Sequence, residues 1–250
     1  VAWQYCSPAA ALRPLDAGVF APHLARVGSK LLVQGASGQP YWLDDKLVAF
    51  GFPMRTWTQA PQSVTGRVLS AQENGCIVAQ LATPPYEEVW TYQAPWPTSL
   101  TGDPLRLIAK DSLLLALVPR NEGNEWIRVD VNFGKLIWRI PGRQLPDDLS
   151  VESVGIGDTM FFYTDDRNLY ARSLNDGTLH WKRDLPARSS RWRIRYTKDY
   201  LAVYPTDASK DDAFGVTFID PWQGSLLQRL TFPEARGPGE VLLTPGQALV

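Results

Sequence analysis

A phrase recurs along this chain at intervals of 41 to 48 residues, and it constrains the fold more than any other feature. Its plainest copies are "VDVNFGKLIWRIP" (129–141), "ARSLNDGTLHWKRDLP" (171–186) and "FIDPWQGSLLQRLTFP" (218–233). Each joins two β-type segments through a turn carrying Gly134, Gly177 or Gly224, and each ends on proline. A short hairpin turn demands positive φ, which glycine adopts without a steric penalty. Four residues beyond the glycine stand Trp138, Trp181 and, in the last copy, Gln228. The same slot reads back to Trp90 in "EEVWTYQAP", to Ala49 in "DKLVAFGFP" and to Trp3 in "VAWQYCSP". Trp42 and Trp57 compete with Ala49 for its place. A period averaging 45 residues marks one supersecondary unit copied many times.

Between successive marks the chain reads as strands. After Trp138 come "VESVGIG", "TMFFYTD", "NLYARSL" and "TLHWKRD"; after Trp181 come "WRIRYTK", "YLAVYPT", "GVTFIDP" and "SLLQRLT". Turns such as Asn-Asp-Gly separate them, and four short strands with tight turns form a meander. The chain carries 10 Trp, 9 Tyr and 9 Phe beside 20 Pro and 19 Gly, which fits pleated strands punctuated by turns. No helical periodicity holds beyond about ten residues, although 8–20 has room for one turn of helix, which Pro14 limits. The predicted class is all-β, with four-stranded antiparallel blades stacked radially as a β-propeller. A tryptophan on each fourth strand is a plate suited to the wedge between blades.

The phrase Asp-x-x-x-Gly-Lys-x-x-Trp (Asp130, Gly134, Lys135, Trp138) resembles the tryptophan-docking repeat of the quinoprotein, or PQQ-like, β-propellers. The resemblance covers essentially the whole chain, 1–250, closely in two copies and loosely in the rest. It implies the propeller fold and a periplasmic or extracellular setting. That family holds pyrroloquinoline quinone alcohol dehydrogenases, cofactor-free outer-membrane assembly lipoproteins, and sensor or scaffold modules. The Gly-His and Trp-Asp signature of WD40 propellers is missing. "VAWQYCSP" reads as the last strand of a blade and "GEVLLTPGQALV" (239–250) as the opening of another, with Val1 in place of a methionine. We therefore expect an incomplete propeller, part of a larger one or of a complex, whose exposed edge is covered natively.

Quinone chemistry of the family's kind needs a catalytic aspartate beside a calcium-bound cofactor, and often a vicinal cysteine pair. The two cysteines, Cys6 and Cys76, are far apart in sequence and read as small buried thiols, with a disulfide as the alternative. The pairs Asp44–Asp45, Asp147–Asp148, Asp165–Asp166 and Asp211–Asp212 fall in turns, where aspartate bonds its own backbone. No calcium-loop spacing, Walker loop or nucleophile elbow occurs. His23 and His180 stand alone, and His180 is expected to face away from Trp181. The expectation is therefore no cofactor, no metal site and no catalytic residue in this chain.

Charge narrows the partners. With 25 basic and 26 acidic residues the net charge is −1, which argues against nucleic acid, and no apolar run reaches the length of a membrane span. The exception is "HWKRDLPARSSRWRIRYTKDY" (180–200), with seven basic residues and two acidic ones. On a strand, Arg191, Arg193 and Arg195 share one face, and Trp192, Ile194 and Tyr196 the other. Such a row forms salt bridges across a blade boundary, takes an anion or a partner, since the planar guanidinium fork suits carboxylate, phosphate or sulfate, or lies on ordinary solvated surface. The reading is a non-catalytic binding or assembly module, a scaffold for protein partners. Its alternatives are the propeller portion of a quinoprotein-type oxidoreductase, with cofactor residues outside this chain, and a carbohydrate-binding module using exposed aromatics.

Overall fold

Runs of β-branched and aromatic residues closed by Gly, Asp and Asn favour antiparallel hairpins, and a computed structural model consists almost wholly of them. It describes residues 62–71, 76–83, 87–93, 105–118, 123–146, 149–206 and 214–232. It also describes the strand backbone alone at 23–27, 30–34, 40–43, 49–51, 242–244 and 247–249, and likewise at 150–153 and 214. The strands are β1 (His23–Val27), β2 (Lys30–Gln34), β3 (Pro40–Leu43) and β4 (Ala49–Gly51), then β5 (Gln62–Val64), β6 (Arg67–Ala71), β7 (Cys76–Leu81) and β8 (Glu88–Gln93). Next come β9 (Arg106–Lys110), β10 (Leu113–Val118), β11 (Glu125–Asp130) and β12 (Leu136–Ile140). They are followed by β13 (Ser150–Ile156), β14 (Met160–Thr164), β15 (Asn168–Ser173) and β16 (Leu179–Asp184). The last are β17 (Trp192–Tyr196), β18 (Leu201–Pro205), β19 (Phe214–Ile219) and β20 (Leu226–Phe232), with a final pair β21 (Leu242–Thr244) and β22 (Gln247–Leu249).

Each consecutive set of four forms one antiparallel sheet in sequence order, giving five four-stranded sheets, and β21 pairs with β22 as a hairpin. This is the blade architecture of a β-propeller. The described residues hold no α-helix, only one 3-10 turn at Gly142–Gln144. Among them no helix is long and apolar enough to cross a membrane. The repeat marks 49, 90, 138, 181 and 228 all fall on fourth strands, as the spacing predicts. Position 3, Cys6, Trp57 and the 8–20 segment lie outside the described residues, as do Asp44–Asp45, Asp147–Asp148 and Asp211–Asp212. In the sheets β9–β12, β13–β16 and β17–β20 burial is graded. The second strands β10, β14 and β18 are covered on both faces, whereas β16 and β20 are mostly exposed.

The chain divides into two compact units, Val1–Asn121 with Ile127–Ile137 and Glu122–Trp126 with Trp138–Val250. In the first, Leu69, Ile77, Leu114, Ala116, Val129 and Val131 form part of one buried apolar cluster. Trp90 of β8 packs into that cluster and donates its indole N–H to the Val131 carbonyl at 2.8 Å. Beneath the ring lies Gly134, at φ +66°, where an added Cβ would stand 2.6 Å from the indole. Both the turn and the close approach therefore require glycine. The turn is closed by Gly134 N–H donating to the Asp130 carbonyl, by Asp130 N–H donating to Lys135, and by the Asp130 carboxylate accepting from Asn132 and Phe133. The motif aspartate thus satisfies turn amides. Cys76, buried at the start of β7, donates its Sγ hydrogen to Gln93 Oε1.

The second unit repeats the device twice. Trp138 donates to the Leu174 carbonyl at 2.8 Å and Trp181 to Pro221 at 3.1 Å, each indole lying on the next turn's glycine, Gly177 or Gly224. Ser173 takes the capping role of Asp130 in one turn and Asp220 in the other. Trp138 is buried; Trp181 is half-buried. Cross-strand partners compensate for size. Ala79 faces Trp90 and Ala171 faces Trp181, whereas Phe218 faces Gln228, where the slot lacks an indole. A β-bulge precedes each of these three marks. At β16 it interrupts the two-residue alternation at His180, which stands exposed, so its orientation does not follow from simple alternation with Trp181.

Candidate interaction surface

Arg193 and Arg195 lie on β17, an edge strand of its sheet, and Arg191 directly precedes it. Trp192 and Ile194 are buried and Tyr196 half-buried, while Arg191 and Arg193 are exposed and Arg195 half-buried, which is the predicted alternation. The apolar side is anchored firmly. Tyr196 stacks on Phe162 with ring centroids 5.8 Å apart, and Trp192 donates to the Asp166 carbonyl at 3.4 Å. Gly155 of β13 has no Cβ to collide with Ile194, whose Cγ2 would sit 2.9 Å away. Burial pushes the Tyr196 phenol above its ordinary pKa, with the Asp158 charge adding to the rise.

The arginine side has a fixed backbone. The Arg191 carbonyl accepts from Thr206 N–H at 2.7 Å, Ser189 Oγ at 2.8 Å and Thr206 Oγ1 at 3.1 Å. Arg193 is registered opposite Tyr204, and Arg195 opposite Ala202. Tyr204 and Ala202 belong to a buried cluster with Val216 and Phe218, so the row borders packed apolar surface. Of the other basic residues in 180–200, Arg183 donates to the Gly224 carbonyl at 2.6 Å beside the docked Trp181, and Lys182 Nζ lies 5.4 Å from the Tyr170 ring centroid. Those two cations therefore serve the fold locally.

A buried polar network runs through the same unit, and sequence reasoning did not find it. Arg172 donates to Tyr163 Oη at 2.8 Å, to the Gly177 carbonyl at 2.9 Å and to the Gln144 carbonyl at 3.0 Å. Tyr163 stacks on Tyr170 at 4.9 Å, and Tyr170 donates to Asp165 Oδ2 at 2.7 Å. Burial pushes the Asp165 carboxyl up, but hydrogen bonds from Tyr170, Asn168 and the amides of Arg167 and Asn168 outweigh it and hold the group below its ordinary pKa. Burial raises Tyr163, against the opposing Arg172 charge. Burial and the Asp165 hydrogen bond also raise Tyr170. The expected turn role of Asp165 is present, with the phenol as an added partner. An arginine on a strand gives no local sign of which face it takes, so Arg172 carried no signal.

These carboxylates bear on quinone and calcium chemistry. Asp165 has both oxygens engaged, Asp130 and Asp220 cap turns, and among the described residues no three His, Cys, Asp or Glu side chains gather as a metal site.

No family model and no curated protein sequence matches the chain. Solved structures do. BamB from Moraxella catarrhalis is 14% identical, with a TM-score of 0.53 over 81% of this chain and 58% of its own. The computationally designed Ika8 protein gives 12% and 0.63 over 88% and 64%, and a europium-containing methanol dehydrogenase 13% and 0.56 over 84% and 50%. The chain thus spans between half and two thirds of these structures. The class this defines is the β-propeller fold that BamB and the quinoprotein dehydrogenases share. At such identities the likeness concerns the fold.

Proposed function

We propose that this chain is a non-catalytic propeller module of the cofactor-free kind, a scaffold that binds protein partners. The observation carrying the reading is the pair of exposed arginines at the start of β17, Arg193 on the strand and Arg191 one residue before it, where the Arg191 carbonyl is pinned by three hydrogen bonds. A rigid platform lowers the ordering cost of binding, and arginine is enriched in interface hot spots. Asp130, Asp165 and Asp220 support the same reading, because their oxygens are engaged in turns and, for Asp165, in the Tyr170 contact. BamB adds a precedent for a natural propeller outside the dehydrogenases.

The test uses the full chain as immobilised bait, as wild type and as Arg191→Gln/Arg193→Gln/Arg195→Gln, against extract from its source. The reading expects defined proteins on the wild type, strongly reduced on the variant, with melting temperatures within a few degrees of each other. Identical captured sets, or none, oppose it. A second reading has one observation in its favour: Trp222 stands 52% exposed on its turn, placed to stack on a sugar. Glycan-array binding abolished by Trp222→Ala would favour that alternative.

A further inference from the structure

We propose that Tyr170 is a one-electron oxidation site, at which a phenoxyl radical forms while the phenolic proton passes to Asp165. The site is separate from the exposed arginines and does not depend on partner binding. Oxidising a phenol makes its O–H strongly acidic, so the step is easiest where a base already holds the proton. Tyr170 donates to Asp165 Oδ2 at 2.7 Å, within the reach of a general base. Asp165 Oδ1 accepts from the amides of Arg167 and Asn168, which fixes the carboxylate with Oδ2 on the phenol. Burial would raise the Asp165 carboxyl, but its hydrogen bonds hold it below its ordinary pKa, so it is ionised at neutral pH and able to take the proton. An oxidant takes one electron from the ring, the Oη–H bond breaks, and a new O–H bond forms on Asp165. A neutral radical is left beside a carboxylic acid.

The ring stack decides where the radical settles. Tyr163 and Tyr170 lie 4.9 Å apart and 6° from parallel, and Trp126 lies 6.3 Å from Tyr163, so three oxidisable rings are in sequence. The two phenols have opposite electrostatic settings. Tyr163 Oη accepts from Arg172 Nε at 2.8 Å, and a cation there disfavours loss of an electron. Tyr170 donates to an anion, which favours it. Asp165 and Arg172 are each only 6% exposed, so solvent ions screen neither strongly. Lys182 Nζ, 5.4 Å from the Tyr170 ring centroid, opposes oxidation, but it belongs to an exposed residue and is screened. Trp126 and Tyr163 are fully buried and Tyr170 is half-buried. An electron lost from Trp126 or Tyr163 is therefore replaced from Tyr170, the member that a solute reaches.

Peroxynitrite with bicarbonate tests this on the full chain, because it supplies carbonate radical as the one-electron oxidant and nitrogen dioxide as the trap. Nitrogen dioxide couples to the phenoxyl ring beside the oxygen-bearing carbon. The hydrogen of the new C–N carbon then moves as a proton to the oxygen and restores the aromatic ring as nitrotyrosine. At low conversion, peptide mass spectrometry reads nitration at Tyr170 and at Tyr92, Tyr196 and Tyr200, which are half-buried as well. Tyr170 is expected to be nitrated several-fold more than each of these. Asp165→Asn, which keeps an oxygen for the turn amides, is expected to bring Tyr170 down to their level with the melting temperature little changed. If Asp165 only held the turn, its loss would loosen the segment, expose Tyr170 and raise its nitration. Should Asp165→Asn fail to fold, the wild type is read in denaturant, where the same tyrosines should be nitrated alike. Nitration that follows exposure alone in the folded chain, a preference for Tyr170 that persists after unfolding, or an unchanged or higher yield in Asp165→Asn overturns the proposal.

Discussion

At the scale of single residues the fold rests on a tryptophan and the glycine it covers. Trp138, 9% exposed and hydrogen-bonded to Leu174, is expected to lose about 3–5 kcal/mol of stability on change to alanine. Trp181 is half-buried and should lose less; equal losses in chemical denaturation would contradict that ordering. Gly134→Ala meets both positive φ and the Trp90 ring, so strain and overpacking add to about 2–5 kcal/mol. Gly66→Ala, at φ +74° with nothing near its Cβ position, meets strain alone and should cost about 1–2 kcal/mol. Similar values for the two glycines would show that the indole contact contributes nothing. For Asp165 the sign is fixed by a folded pKa below the unfolded one. Its stabilising contribution is full above an unfolded value of about 3.9 and is lost as pH falls through the lower folded value. Asp165→Asn should flatten this acid limb, and stability measured at several acidic pH values would show it. An unchanged limb would contradict the assignment.

At the scale of elements, strands and turns were legible because their causes are local. The stretch "TMFFYTD" became Met160–Thr164 and "NLYARSL" became Asn168–Ser173, since the aromatic run and the Asp-Asp-Arg-Asn turn that closes it lie within a few residues of each other. The alternation of Arg191 to Tyr196 was readable for the same reason. The acceptor of each indole was not, because Leu174 lies 36 residues from Trp138 and Pro221 lies 40 from Trp181. The bulge at His180 and the buried side of Arg172 depend on neighbours that no short window contains. The graded burial leads to its own prediction: amide exchange should be slowest in β10, β14 and β18 and fastest in β16 and β20. Protection in β20 equal to that in β14 would mean that another surface covers the fourth strand.

At the scale of the whole molecule, a 45-residue repeat points to the propeller class, whereas the choice among propeller activities depends on side chains that vary freely on that scaffold. Trp90, Trp138, Trp181, Asp130, Asp165 and Asp220 hold sheets and turns, and the proposed binding falls to the exposed arginines. That division of labour is tested most sharply by a melting curve of this 250-residue chain with and without pyrroloquinoline quinone plus calcium, followed by quinone and metal analysis after dialysis. A ligand at a hundred times its dissociation constant stabilises its protein by about 2.7 kcal/mol, enough to move the transition by degrees. An unshifted melting temperature is expected, with no quinone or calcium retained. A clear upward shift with one quinone retained per chain would contradict a cofactor-free scaffold.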